Sequence, residues 1–170
     1  MRKIEKDFFN SIRDNYTSMF NAMIDIVDLE MTDGEGFTPL LLAAYNGNIQ
    51  AVNALIKRKV NINAYIKDGD NALHFAAYND YEEIAKVLIK AGIDINLKGY
   101  EDRVPITLAI TEDSMKVFRV IYKENPDMYI ENDVKRTPIV YITLKPDSDK
   151  QKFMKIMKGR KVGKFADLLR

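Results

Sequence analysis

A chain of 170 residues with 46% hydrophobic content is long enough for one domain with its own core and too apolar to stay disordered. Its 26 basic and 25 acidic residues leave a net charge of +1, which commits it to no class of partner. It has no cysteine, and that excludes a disulfide framework and a thiolate metal site.

The N-terminus, Met1-Arg2-Lys3-Ile4-Glu5-Lys6-Asp7, has no apolar run behind it and does not read as a secretory signal. No stretch approaches the roughly 20 apolar residues of a membrane span. A soluble, cytoplasmic monomer is expected. Charge is unevenly placed: residues 145–170 hold nine Lys or Arg against three Asp, which leaves 17 basic and 22 acidic residues in an acidic body.

Residues 1–32 read as a helical N-terminal cap. Ile4, Phe8 and Ile12 fall four apart, one stripe on a helix. Met19, Met23, Ile26 and Val27 continue the pattern in a second short segment, with Asn15 and Thr17 as the break.

The next three units run over residues 33–65, 66–98 and 99–131. Asp33-Gly34-Glu35-Gly36 is a turn by composition. Thr38 fits an N-cap and Pro39 the first helical position, where its missing N–H does no harm. Leu40–Tyr45 is a short apolar helix ended by Gly47, and Ile49–Arg58 a second, with Val52, Leu55 and Ile56 inward. The second unit places Asn71 at the cap, Leu73–Tyr78 and Tyr81–Ala91 as helices, and Gly92 as a left-handed C-cap. In the third, Val104 cannot cap its helix, so that start is the weakest, and Asn125 takes the place of Gly92.

Residues 132–170 form the final repeat and C-terminal cap. Thr137-Pro138 opens a helix that Pro146 stops at about Lys145. Lys152–Lys158, with Phe153, Ile156 and Met157, is the closing helix; Gly159 and Gly163 break it, and Phe165–Leu169 forms a last short helix.

One stretch organises all of this. Thr38-Pro39-Leu40-Leu41-Leu42-Ala43-Ala44 returns at Asn71–Ala77, at Val104–Ile110 and at Thr137–Thr143, each step 33 residues. Such a period is the signature of stacked units. A single unit cannot bury its own apolar face, so stability comes from the interfaces. Leu40, Leu73, Ile106 and Ile139 should form one buried row, and Ala43, Ala76 and Ala109 another.

The pattern resembles the ankyrin repeat. Asp33, Gly36, Thr38–Leu40 and Ala43-Ala44 match its opening, as do Leu73-His74 and Ala76-Ala77, and Gly92-Ile93-Asp94-Ile95-Asn96 matches its closing segment. The likeness covers residues 33–143 well and the ends weakly. Val104, Lys59 and Ile142-Thr143 depart from it. It implies an all-α solenoid of about five helix-turn-helix units, two of them degenerate caps.

Candidate chemistry is sparse. His74 is the sole histidine; a lone His can be a base, but in the resembled family this slot makes a structural hydrogen bond. Ser11, Ser18, Ser114 and Ser148 lie far apart without a nucleophile's context. Asp68-x-Asp70 and Asp147-x-Asp149 lack the rest of a calcium loop, and Gly34-x-Gly36 lacks a nucleotide fingerprint. No enzyme, metal or cofactor is expected.

The resemblance implies a concave face of turn tips and first helices that binds another protein. Carried over by position, its tips are Glu35 and Phe37; Lys67, Asp68 and Asp70; Tyr100, Glu101 and Arg103; and Asp133, Val134 and Arg136. Its helix positions are Tyr45-Asn46, Tyr78-Asn79 and Thr111-Glu112. Tyr and Arg are residue types that dominate interface energetics. A small stand-alone inhibitor of the bacterial immunity type is a narrower version of this reading. A third reading gives the basic tail, Lys150, Lys152, Lys155, Lys158, Arg160, Lys161 and Lys164, an anionic partner. Nucleic acid is disfavoured, since no aromatics interleave those charges for base stacking.

Overall fold

The computed structural model describes residues 1–158. The α-helices in chain order are α1 (Lys3–Arg13), α2 (Thr17–Met23), α3 (Pro39–Tyr45), α4 (Ile49–Lys57), α5 (Ala72–Tyr78), α6 (Glu82–Lys90), α7 (Pro105–Thr111), α8 (Met115–Lys123), α9 (Pro138–Thr143) and α10 (Asp147–Met157). No strand forms among the described residues, where Tyr65 and Asn71 make an isolated bridge.

Two parallel rows result. Helices α1, α3, α5, α7 and α9 each pack on the next, and behind them α2, α4, α6, α8 and α10 do the same. Between the rows lies a continuous core. Leu40, Leu73, Ile106 and Ile139 are all buried in it, and Ala43, Ala76 and Ala109 are fully buried. Alanine lets neighbouring helices approach; a larger side chain in that row would force them apart. Ile142 fills the fourth place in the alanine row and is also fully buried. Beyond it α10 closes the stack against α8 and α9, with Phe153 edge-on to Phe118 at 4.9 Å.

The helix starts follow from their first residues. Thr38 Oγ1 accepts the Leu41 N–H at 3.3 Å, and Thr137 Oγ1 accepts that of Val140 at 3.4 Å. Asn71 Oδ1 takes two, from Leu73 at 3.0 Å and His74 at 3.2 Å. Val104 supplies no cap, and Pro105 alone sets the first turn of α7. After the second helices, Lys59, Gly92 and Asn125 share a left-handed conformation at φ +59°, +89° and +56°. The lysine thus adopts the geometry that the glycine position demands, at a cost of roughly 1 kcal/mol.

The closing segments are laddered by side chains. Glu30 Oε1 accepts the Asn61 N–H at 2.7 Å, Asn63 Oδ1 that of Asp94 at 2.8 Å, and Asn96 Oδ1 that of Asp127 at 3.0 Å. Each bond joins one unit to the next, so the Asn and Asp spacing of these segments serves stacking.

Some expectations need correction. The buried side of α2 is Phe20, Met23 and Ile24, whereas Met19 and Ile26 face solvent. The sequence pattern there skips Phe20, the residue that stacks on Phe8 at 5.2 Å. Helix α9 ends at Thr143, and α10 begins at Asp147 instead of Lys152. Pro146 is the N-cap of α10, and Asp147 and Asp149 occupy its first turn, where the helix dipole favours acids. Gly159, Gly163, the expected helix at Phe165–Leu169 and Arg160, Lys161 and Lys164 lie outside the described residues.

Candidate functional site

The last residue of α3 and the last residue of α5 are tyrosines, one repeat apart. Tyr45 is 48% and Tyr78 57% exposed, so both rings stand out from the inner row. Tyr100, on the turn before α7, is 52% exposed. These rings wall a depression of about 300 Å³. Its floor is His74, Phe75 and Leu108, and its remaining wall is Asp68, Asp70, Arg103 and Glu112. Three successive units therefore contribute to one concavity.

The polar side chain of the floor is paired. His74 is fully buried. Its Nε2 faces the Arg103 carbonyl at 3.1 Å; a carbonyl only accepts, so Nε2 carries the proton. Nδ1 then accepts the Asn71 N–H at 3.1 Å. Burial pushes the His74 ring below the ordinary histidine range, although Asp70 pulls the other way. The ring is thus a neutral strut between two units, as its place in the repeat implied. Gly99 explains how it fits: a Cβ there would lie 2.0 Å from Asp70 Oδ1 and 2.7 Å from His74 Nε2.

Asp70 Oδ1 accepts the Tyr100 N–H at 2.9 Å, which fixes the third turn onto the second. Glu101 and Asp102 both take φ +55°, and this tight turn brings Tyr100 and Arg103 together. The Arg103 guanidinium lies 5.8 Å from the Tyr100 ring centre and pairs with Glu101 at 3.1 Å. Its Nε is buried without a hydrogen-bond partner among the described residues.

The structure brings together Tyr45, Asp68, Asp70, Tyr78, Tyr100, Arg103 and Glu112. Phe37 is placed differently. It is half-buried, stacks on Phe75 at 5.4 Å and meets the Tyr45 edge at 5.6 Å, so it supports the rim from behind. Asn46 and Asn79 send their amides back to the Leu42 and Phe75 carbonyls at 3.0 and 3.1 Å, so those donors are spent on helix ends. Glu35, Lys67, Glu101 and Arg136 are exposed on their tips and do not line the depression.

Sequence reasoning passed over Phe75 and Leu108 as floor residues. The signal was present: each lies three residues before a groove position, Phe75 before Tyr78 and Leu108 before Thr111, and such pairs share a helix face.

Three copies of the ankyrin repeat match residues 8–99. The chain belongs to the ankyrin-repeat family. The match begins within α1 and ends just before Tyr100. No curated protein matches the chain. Ankyrin repeats are protein–protein interaction modules and are typically non-enzymatic. Among the described residues no group of three or more His, Asp or Glu is placed to hold a metal ion. None of their helices is long and apolar enough to cross a membrane.

The basic C-terminal face is partly neutralised from within. Lys150 pairs with Asp147 at 2.9 Å and Lys152 with Asp149 at 2.7 Å, while Lys155 and Lys158 are exposed.

Proposed function

We propose that this ankyrin-repeat chain binds a partner protein by seating one of its segments in the depression between Tyr45, Tyr78 and Tyr100. The observation that carries this reading is three half-exposed tyrosines from successive units around one preformed concavity. Tyrosine offers large contact area at low entropic cost. Paired floor atoms and Asp70-anchored turns leave little to order on binding, and that favours rigid docking. The turn tips Lys67 and Asp68 and the end of α7 flank the seat and contribute specificity.

The test is a partner captured from lysate and remeasured by calorimetry against variants. Tyr78→Ala with Tyr100→Ala should weaken binding at least about tenfold while the melting temperature stays near that of the parent. Unchanged affinity in that variant would move the site elsewhere. Tyr78 and Tyr100 are chosen over Tyr45, because Tyr45 also packs edge-on to Phe75 at 5.5 Å.

A further inference from the structure

The charges around the three rings do not balance. Asp68 and Glu112 line the depression, and neither is in an ion pair among the described residues. The nearest polar partner of the Glu112 carboxylate is its own neighbour, Thr111 Oγ1, at 3.3 Å. Asp70 also lines the seat, with one oxygen given to the Tyr100 N–H. The sole cation of the lining is Arg103, and its guanidinium is already matched by Glu101 and laid against Tyr100. The seat thus offers aromatic faces and uncompensated carboxylates.

Both features select the same ligand chemistry. A ring face attracts a cation through its quadrupole. Carboxylates in a concavity shared with aromatic rings and floored by Phe75 and Leu108 add their field, and desolvation there strengthens it. An acidic or phosphorylated group would meet Asp68, Asp70 and Glu112 with no unpaired cation in the lining to hold it, since Lys67 lies on the turn outside the depression. A purely apolar group would fill the volume and leave the carboxylates facing a dry surface, which is costly. We infer that the depression takes a basic side chain, lysine or arginine, presented by the partner protein. The inference rests on the docking reading above and adds the charge of the group that docks.

The test uses a displayed library of short random peptides panned against the intact chain. The same panning is done against Asp68→Asn with Glu112→Gln, and against Tyr78→Ala with Tyr100→Ala. All four residues are exposed, so the fold is expected to survive, and melting curves check this. The intact chain should enrich peptides with Lys or Arg at one fixed position. Their affinity should fall about tenfold in the carboxylate variant and further in the tyrosine variant. Peptides with no fixed basic residue that are lost only in the tyrosine variant would overturn the charge inference and leave the docking reading standing. Peptides bound equally well by the tyrosine variant, or no enrichment at all, would overturn both.

Discussion

Asp80 reaches across a unit boundary to Lys116. Its Oδ1 accepts the Lys116 and Val117 N–H groups, each at 3.0 Å, so it caps α8 from the unit before. Ser114, the residue in the N-cap place, makes no cap of its own. The same position in the other units is solved differently. Gly47 has the Tyr81 ring over it, where a Cβ would meet Cζ at 2.8 Å. Asp113 holds Lys145 at 2.7 Å. One register position thus carries three separate ties between neighbours.

The Asp80 tie predicts a graded response. Asp80→Asn should be nearly neutral, since the amide oxygen still accepts and Asn tolerates the φ of +54°. Asp80→Gly keeps the backbone free and loses the cap, for about 1 kcal/mol. Asp80→Ala loses the cap and strains the backbone, for about 2 kcal/mol. Urea midpoints rank the three; Ala and Asn variants of equal stability would refute the cap.

Gly99 is required for space alone, because its backbone does not enter the left-handed region. Gly99→Ala should destabilise by about 3 kcal/mol, since backbone or the buried His74 must shift. Adding Asp70→Ala removes the worst contact and should restore part of the loss, so the two changes are non-additive. Purely additive losses in chemical denaturation would mean that the contact is not what excludes a side chain at Gly99.

His74 sets a pH dependence whose sign is fixed. The ring is neutral when folded, held below the ordinary value by burial. In the unfolded chain it titrates near 6.5. Above that pH neither state binds the proton and stability is full. As the pH falls below about 6.5, only the unfolded chain gains a proton, and stability drops by up to about 1.4 kcal/mol per pH unit until the folded ring titrates. It is the sole histidine, so midpoints between pH 7 and 5.5 isolate it. A flat profile there, or an imidazole NMR signal that titrates at the ordinary value in the folded chain, would contradict the strut.

The fold was readable because its determinants recur. A 33-residue step carries Leu40, Leu73, Ile106 and Ile139 into one row, and the missing cap at Val104 shows as the lack of a side-chain bond. The site was less readable because its residues are divided by tertiary contacts that no spacing reports. Phe37 and Tyr78 both look like surface aromatics in the sequence. Only the position of Phe75 decides that Phe37 packs and Tyr78 stays free. Asn46 and Asn79 look like groove donors until the carbonyls four residues back claim their amides. Apolar spacing starts α10 late because Asp147, Ser148 and Asp149 are polar; they fill its first turn, where the two acids suit the helix dipole, without adding to its apolar stripe.

Where a partner sits on the chain is the deciding observation. Backbone amide shifts of the chain, recorded with and without a saturating bound peptide or partner segment, read this directly. Changes should cluster at Tyr45, Asp68, Tyr78, Tyr100, Arg103 and Glu112 and spare the solvent side of α4, α6 and α8. A footprint on those outer helices, with the tyrosine depression silent, would contradict it.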